Sequence, residues 1–540
     1  MREVRCFGPP GTGKTTWLAK SIADTVRARG SDAVVVGSFT RTAAAEISGR
    51  NLPIPDRQIG TLHSLAYRAI DQPELHSDHI GDWNARHHDL ALTGNYKISP
   101  DDDVPIEAPS GGAQGDRLMR SIEVLRARMV PVARWPVLER FFYDRWSAWK
   151  TELGVIDFTD MIETALETTT AAPGNPLVGY FDEFQDFTPL EIALVRHWGE
   201  QMETLIVAGD DDQILYSFKG ATPDAFLNPP VPEEDKRVLH QSWRVPAAVH
   251  RYAEQWIKQV AHREPKVYTP RDEEGVVTFA TDLSLDKSDS VVSAVVERID
   301  SGRTVMLLTT CAYLLEPVIA ELRRRGVPFG NQYRESRSQW NPLGGKSRKS
   351  PADRLDAYLV LDERIYGERS RLWTGMDIAA WGACLRADGV FKRGVKSKLK
   401  GLPQREMTYE EVEQLFASPE ALEAALEPSL AWFRQNIAAD KRGGLAFPLA
   451  VAENRSPLEL TAKPRVTIGT VHSVKGGEAD SVFVFPDLSM AGMKQWESIQ
   501  LRDSVIRQMY VAFTRPRYEL VICEASTDRA VDELTLKRFR

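Results

Sequence analysis

The segment "VRCFGPPGTGKTTWLAKSIADTVRARG", Val4 to Gly30, places a glycine-rich loop between two apolar elements. Its first residues predict a short buried strand, and Leu18, Ile22 and Val26 fall on one face of a following helix. Between strand and helix lies "GPPGTGKT", which satisfies the pattern G-x-x-x-x-G-K-[ST] of a phosphate-binding loop. A strand, a glycine-rich loop and a helix in this order predict a nucleoside-triphosphate site on an α/β fold.

The residue types in the loop match the chemistry of a triphosphate. Backbone N–H groups and the helix N-terminus favour phosphate, Lys14 would contact the outer phosphates, and the hydroxyl of Thr15 would bind magnesium. We therefore predict ATP and Mg²⁺ as cofactors. The predicted nucleotide-binding residues of the loop are Gly8, Pro9, Pro10, Gly11, Thr12, Gly13, Lys14, Thr15 and Thr16.

A second segment, "LVGYFDEF", places two carboxylates directly after an apolar run. We predict that Asp182, at the strand end, holds magnesium together with Thr15. Glu183 would orient and deprotonate the attacking water. A pair of adjacent acids alone is common on solvated surfaces. Its position after a buried strand, in a chain with a phosphate loop, favours the catalytic interpretation.

The rest of the chain repeats the strand pattern. The runs "AVVVGSFT", "TLIVAGD", "TVMLLTT", "RVTIGT", "SVFVFP" and "LVICEA" are nearly continuous in apolar residues, which is typical of parallel strands covered on both faces. Their distribution along 540 residues predicts two separate α/β domains. Two mainly helical stretches interrupt the pattern, and we interpret both as insertions.

Composition restricts the partners and the location. No run of about eighteen apolar residues could span a bilayer, and the four cysteines lie far apart, so we expect no membrane association and a cytoplasmic location. The net charge of −8 argues weakly against a nucleic-acid binder. A whole-chain sum conceals local charge, however, and Arg386 to Arg405 is strongly basic.

Further motifs follow one another between Gly8 and Arg517. They are "GPPGTGKTT", "SFTRTAAAEI", "IGTLHSLAYR", "DFTDMI", "YFDEFQDF", "VAGDDDQILYSFKGA", "LHQSWRVP", "TIGTVHSVKGGEAD" and "QMYVAFTRPR". In this order they resemble the UvrD/Rep family of superfamily 1 DNA helicases. The resemblance implies two RecA-like parallel-sheet domains in tandem, each with a mainly helical inserted subdomain. The first domain is predicted at 1–64 and 151–232 with its insertion at 65–150, and the second at 233–330 and 456–540 with its insertion at 331–455.

The resemblance also implies how phosphate chemistry is completed. Asp210 and Gln213 would face magnesium and the γ-phosphate, while Arg244 and Arg515 would act as arginine fingers contributed by the second domain. The implied catalytic residues are Lys14, Glu183, Gln213, Arg244 and Arg515.

Recognition of the base follows the same resemblance. Trp243 takes the place of a family tyrosine that stacks on adenine, and Glu478 matches a family glutamate near the ribose. The family's glutamine-containing segment ahead of the phosphate loop is missing here. Nucleoside triphosphates other than ATP therefore stay open as substrates.

On the nucleic-acid side, the resemblance implies that Tyr216 and Phe218 stack on bases beside Lys219. The family usually has tryptophan and arginine where this chain has Phe218 and Lys219. Ordinary core packing is the alternative for both aromatic residues. Further implied strand contacts are Phe39, Thr40, Arg41, Thr61, His63, Thr470 and His472.

The implied function is an ATP-dependent DNA helicase of replication or repair. It would move 3′ to 5′ on single-stranded DNA, act at junctions of single- and double-stranded DNA, and hydrolyse ATP in the cleft between its domains. One alternative is a single-strand translocase that strips proteins with little processive unwinding. A second is a binding protein with a vestigial ATP site, which the intact predicted catalytic residues disfavour.

Overall fold

A computed structural model describes residues 1–39, 54–93, 113–335, 337–344 and 350–534. The chain divides into two compact units. The first comprises Met1–Val277 with Leu488–Leu520, and the second comprises Thr278–Asp487 with the segment that begins at Val521. The four domain ranges expected from the sequence stay predictions.

The first unit is built on a six-stranded sheet. In chain order its strands are β1 (Arg2–Phe7), β2 (Val34–Ser38), β3 (Ile59–Thr61), β4 (Val178–Asp182), β5 (Thr204–Gly209) and β6 (Lys236–Val238). Their spatial order is β3-β2-β4-β5-β1-β6, and every neighbouring pair is parallel. The carboxyl ends of β1, β4 and β5 therefore share one edge of the sheet, which is where parallel α/β folds bind ligands.

The remaining strands of the described residues form a two-stranded parallel pair and a second, larger sheet. The pair consists of β7 (Gln241–Pro246) and β8 (Thr269–Arg271). The second sheet has the order β11-β12-β10-β13-β14-β9, with β10 parallel to both β12 and β13. Its strands are β9 (Val276–Ala280), β10 (Val305–Thr309), β11 (Phe329–Gly330), β12 (Val466–Thr470), β13 (Ala479–Val484) and β14 (Pro516–Cys523). Two sheets with parallel strands confirm the predicted α/β class.

Helices surround both sheets. In the first unit they are Lys14–Arg29, Leu62–Ala69, Ile80–Arg86, Gln114–Ala127, Val137–Leu153, Phe158–Thr168, Pro189–Gly199, Pro223–Leu227, Ala247–Ile257, Met490–Glu497 and Arg502–Phe513. In the second unit they are Ser288–Asp300, Glu316–Arg325, Pro351–Leu359, Glu363–Tyr366, Gly375–Gly382, Tyr409–Glu413, Pro419–Leu426, Leu430–Asn436 and Arg442–Asn454. Within the described ranges, no helix is both long and apolar enough to cross a membrane.

The packing follows the apolar patterns of the sequence. Leu18 and Ile22 of the first helix are buried against Val34 and Val36 of β2, as their helical spacing predicts. A separate core around Trp83, Phe142, Trp146 and Trp149 holds the helical part of the first unit together.

Candidate nucleotide site and nucleic-acid surface

The phosphate loop has the backbone that its glycines permit. Gly11 and Gly13 have φ of 72° and 79°, a left-handed conformation that side chains disfavour. Gly13 precedes the helix that begins at Lys14, whose first N–H groups have no partners within the helix. Thr12 Oγ1 donates to the carbonyl of Pro9 at 2.8 Å and closes the loop. A helix that begins directly after such a loop is a typical site for anions, and the phosphate contact of these residues stays a prediction.

Lys14 pairs with the predicted base. Its Nζ lies 2.8 Å from Oε1 of Glu183. Burial disfavours the ammonium, but Glu183 and Asp182 outweigh that effect, so the pKa of Lys14 is raised. Lys14 is therefore fully charged at neutral pH and paired with the Glu183 carboxylate.

Thr15 and Asp182 lie together where the magnesium ligands were predicted. Thr15 Oγ1 donates to Oδ2 of Asp182 across 3.3 Å. Burial raises the pKa of Asp182 to about 6, Lys14 opposes the rise, and Glu183 adds to it. A hydroxyl and a carboxylate at the start of a phosphate loop are the oxygen donors that Mg²⁺ prefers. The donor set fits the ion.

Glu183 is held in an uncommon conformation. Its φ is +54°, the left-handed region that non-glycine residues rarely enter, and such strain is concentrated at functional sites. Its Oε2 accepts a bond of 2.8 Å from Nε2 of the buried Gln185. Gln185 Oε1 in turn accepts the backbone N–H of Asp210 at 3.0 Å. Gln185, which sequence reasoning missed, thus joins the turns that follow β4 and β5.

The hydrogen bonds continue from Asp210 to a predicted arginine finger. Gln213 Nε2 donates to Oδ2 of Asp210 at 2.6 Å, and Gln213 Oε1 accepts from Nη2 of Arg515 at 3.0 Å. Arg515 is 1% exposed and also donates to the carbonyl of Val511. Both Arg515 and Arg244 lie in the compact unit that carries the phosphate loop.

The strand that carries Trp243 packs directly on the phosphate loop. Ser242 Oγ donates to the carbonyl of Pro10, and the N–H of Trp243 donates to the carbonyl of Gly11, both at 2.8 Å. A Cβ on Gly11 would lie 2.4 Å from Cβ of Arg244, so the approach requires glycine. Trp243 is 72% exposed, and an open ring beside the loop is what stacking on a base needs.

Glu478 belongs to the second unit. It is exposed and lies next to Ala479, the first residue of β13. Its predicted ribose contact stays a prediction.

The predicted stacking residues form an aromatic cluster with unequal exposure. Tyr216 is 1% exposed, and its ring centroid lies 4.6 Å from that of Phe39 and 5.9 Å from that of Phe218. Lys219 Nζ lies 5.2 Å from the Tyr216 centroid. Phe218 and Lys219 are half-buried. Direct stacking of a base on Tyr216 therefore requires its neighbours to move, whereas Phe218 already presents part of its surface.

The other predicted strand contacts are partly engaged in local structure. Thr61 Oγ1 caps a helix by accepting the N–H of Ser64 at 3.3 Å. Burial lowers the pKa of His63, against the opposing effect of Glu191, so its imidazole is neutral at pH 7. Thr40 and Arg41 lie outside the described residues.

In the second unit, Thr470 is buried, and its Oγ1 accepts the N–H of Ser473 at 3.2 Å. His472 is half-buried in the turn that Thr470 caps. His472 is therefore more accessible to a nucleic-acid strand than Thr470.

A phosphate loop, a paired lysine and two acids at the carboxyl edge of a parallel sheet define a P-loop nucleotide-binding protein. An AAA domain model matches residues 2–219. The chain is 26% identical over 250 residues to "Putative ATP-dependent DNA helicase YjcD" of Bacillus subtilis, covering 40% of this chain and 31% of the relative. It is 27% identical over 132 residues to "ATP-dependent DNA helicase PcrA" of the same organism, covering 22% and 18%.

A third relative aligns over more of the chain. "Probable DNA helicase II homolog" of Mycoplasma capricolum is 23% identical over 403 residues, covering 67% of this chain and 54% of the relative. In each of the three, the matched region is less than two thirds of the relative's length. The chain is thus similar to proteins named as DNA helicases, in keeping with the resemblance of its motifs to the UvrD/Rep family.

Proposed function

We propose that this protein is an ATP-dependent DNA helicase that moves 3′ to 5′ on single-stranded DNA and unwinds duplex at junctions. One observation carries the proposal. A chain of hydrogen bonds and ion pairs runs from Lys14 through Glu183, Gln185 and Asp210 to Gln213, which Arg515 contacts. The polypeptide then leads directly from Gln213 into the aromatic cluster. The three relatives, whose names describe DNA helicases, support the same function.

Hydrolysis follows from an exchange of partners. The phosphates of ATP take the place of Glu183 beside Lys14, which is charged in advance. The released Glu183 carboxylate then accepts a proton from the attacking water as the water oxygen bonds to the γ-phosphorus. The bond from that phosphorus to the β–γ bridging oxygen breaks, ADP leaves, and Lys14 and the backbone N–H groups of the loop stabilise the charge on the phosphates. Thr15 and Asp182 would hold Mg²⁺, which when bound compensates phosphate charge.

Arg515 would stabilise the transition state as charge develops on the γ-phosphate. Its guanidinium is oriented by Gln213 and by the carbonyl of Val511. The Cβ and backbone nitrogen of Arg244 pack on Gly11. We expect its guanidinium to contribute a second positive charge at the γ-phosphate.

Coupling to the DNA strand would use the segment between Asp210 and Lys219. Asp186 Oδ1 accepts the N–H of Leu215 at 3.2 Å, and Gln185 Nε2 donates to Asp186 at 3.1 Å. The turn that carries the catalytic acid is therefore bonded to both ends of the segment 210–215. A shift at Glu183 on phosphate binding or release would move Tyr216 and Phe218 with it.

The proposal includes the domain organisation implied by the resemblance. The two RecA-like domains would form the motor, and the insertions at 65–150 and 331–455 would contact DNA or regulate it. We place the activity in the cytoplasm, in DNA replication or repair, on the cysteine usage and the family.

Strand separation by this chain tests the proposal. A duplex with a 3′ single-stranded tail should be unwound in the presence of ATP and Mg²⁺, and one with a 5′ tail should not. Lys14→Ala, which removes the phosphate contact, is the inactive control. Preference for the 5′ tail would refute the assigned direction.

A second assay separates helicase from translocase. Streptavidin bound to biotin at the 5′ end of a single strand should be displaced faster than at the 3′ end, because the motor moves towards the 5′ end. Displacement without unwinding would favour the translocase that strips proteins. Neither activity, with ATP still bound, would favour the vestigial ATP site.

A further inference from the structure

Three consecutive carboxylates lie buried directly after β5. Asp210, Asp211 and Asp212 are each 0% exposed. Lys266 Nζ lies 2.9 Å from Asp210 Oδ1 and 3.0 Å from Asp212 Oδ2, and it also contacts Asp211. Arg263 donates to both oxygens of Asp212, at 2.8 and 2.6 Å. Arg263 and Lys266 therefore supply two cations to the three acids.

Lys266 stays charged in this environment. Burial disfavours its ammonium, but Asp210, Asp212 and Asp211 outweigh that effect and raise its pKa. Burial raises the pKa of Asp211 to about 6, and Lys266 opposes the rise. Since a buried carboxylate without a partner is strongly unfavourable, the position of Lys266 fixes where these carboxylates can lie.

The two oxygens of Asp210 have different partners. Oδ1 contacts Lys266, and Oδ2 accepts the Gln213 Nε2 bond of 2.6 Å. Because the amide nitrogen of Gln213 faces Asp210, the amide oxygen of Gln213 faces Arg515, with 3.0 Å between Oε1 and Nη2. Rotation of the Asp210 carboxylate would remove the group that sets the orientation of this amide, and Arg515 would lose its oriented acceptor.

A second connection binds the arginine-bearing helix to the same turn. Arg507, on the helix Arg502–Phe513, donates from Nε to the carbonyl of Asp211 at 2.9 Å. Its Nη2 donates to the carbonyl of His262 at 2.8 Å. The helix that leads to Arg515 is thus fixed to the acidic turn and to the segment that carries Lys266.

We propose that Lys266 is a positioning residue for ATP hydrolysis: it fixes Asp210, which orients Gln213 and through it Arg515. In this role Lys266 acts through Asp210, Gln213 and Arg515, and not by touching ATP itself. The inference rests on the proposed function, since it requires that the chain hydrolyse ATP.

Two charge-matched double variants test it. Lys266→Met with Asp211→Asn removes one buried cation and one buried anion, and it leaves Asp210 without its lysine. Arg263→Gln with Asp212→Asn removes the same charges from the same cluster but keeps Lys266 on Asp210. Melting temperature, ATP dissociation constant and turnover at saturating ATP and single-stranded DNA are measured for both.

The Lys266 pair should lose about ten- to a hundredfold in kcat with little change in ATP affinity, because displacement of a catalytic group affects the chemical step. The Arg263 pair removes the Asp212 contact of Lys266 but keeps its contact to Asp210, so it should lose clearly less kcat than the Lys266 pair at a similar melting temperature. The Lys266 pair combined with Arg515→Ala should have about the same kcat as Arg515→Ala alone, because Lys266 acts only through Arg515 in this inference.

Equal loss of kcat in both pairs would overturn the inference, and so would a loss from Arg515→Ala that adds to the loss in the Lys266 pair. In either case, turnover by the wild-type chain would still uphold the proposed function. A wild-type chain without turnover would overturn both. If the Lys266 pair does not fold, Lys266→Arg is the second variant. It keeps the charge but displaces it, so kcat should fall while the melting temperature is kept, and an unchanged kcat would overturn the inference.

Discussion

Replacing Gly11 by alanine tests how closely the Ser242–Arg244 strand packs on the phosphate loop. The added Cβ would lie 2.4 Å from Cβ of Arg244, 2.8 Å from Oγ of Ser242 and 3.1 Å from the backbone nitrogen of Arg244. Favourable carbon–carbon contacts lie at about 3.5–4.0 Å, so the strand must move by about 1 Å. Such a shift would also lengthen the bonds from Ser242 to Pro10 and from Trp243 to Gly11.

Two costs add in this variant. Gly11 has a φ of +72°, and an L-residue in the left-handed region costs about 1–2 kcal/mol. Overpacking against a fixed neighbour costs about 1–3 kcal/mol more. The expected loss in the free energy of unfolding is therefore about 2–5 kcal/mol.

Gly13→Ala is the matched control. Its φ of +79° is nearly the same, but its Cβ would have nothing nearer than Thr16 Cβ at 4.0 Å. It should cost only the backbone part, about 1–2 kcal/mol. Urea unfolding of both variants without nucleotide gives the comparison. Equal losses for Gly11→Ala and Gly13→Ala would refute the packing of the strand on the loop.

Three further predictions follow from the site. Arg515→Ala should lose about a thousandfold in turnover with a modest change in ATP affinity; weaker binding with unchanged turnover at saturation, in single-turnover kinetics, would contradict it. Burial raises the pKa of Asp182 to about 6, so Mg²⁺ affinity should fall as pH drops through that value, because the protonated carboxyl is a poor ligand. The pH at which half of the Mg²⁺ sites are occupied should move lower as the Mg²⁺ concentration rises, because Mg²⁺ displaces the proton. The affinity is measured by titrating turnover with Mg²⁺ at several pH values, and the same affinity at each pH would contradict the prediction. Phe218→Ala should remove about 1–3 kcal/mol of strand affinity at constant melting temperature. Tyr216→Ala should mainly lower the free energy of unfolding, by about 3–5 kcal/mol. The opposite pattern in strand-binding and melting curves would reverse the two roles.

The arrangement of the candidate phosphate site was predictable because its parts are local in sequence. The strand–loop–helix order placed Lys14 and Thr15, and a buried strand ending in "DE" placed Asp182 and Glu183. The parallel sheet then brings the two segments together, since the carboxyl ends of β1 and β4 share an edge. The spacing of side chains along one segment was sufficient for these residues.

The long-range partners were not predictable in the same way. Lys266 lies 55 residues after Asp211, and no local periodicity connects them. The signal available was energetic: three consecutive acids after a buried strand require buried cations. The "HREPK" segment carries two, Arg263 and Lys266, but only the fold shows that they meet these acids.

The aromatic residues show another limit. A tyrosine and a phenylalanine two positions apart after a strand are compatible with a base-stacking surface and with a core. The structure separates them, since Tyr216 is covered by Phe39 and Lys219 while Phe218 is half-buried. Burial depends on residues far along the chain, which the local pattern does not contain.

Steady-state ATP turnover with single-stranded DNA, single-stranded RNA and duplex DNA, compared side by side, shows whether this chain is an ATPase that a single DNA strand activates. Single-stranded DNA should stimulate turnover most strongly, and Glu183→Gln should bind ATP and Mg²⁺ but turn over at least about a hundredfold more slowly. Turnover indifferent to single-stranded DNA, or near-normal turnover in Glu183→Gln, would contradict this prediction.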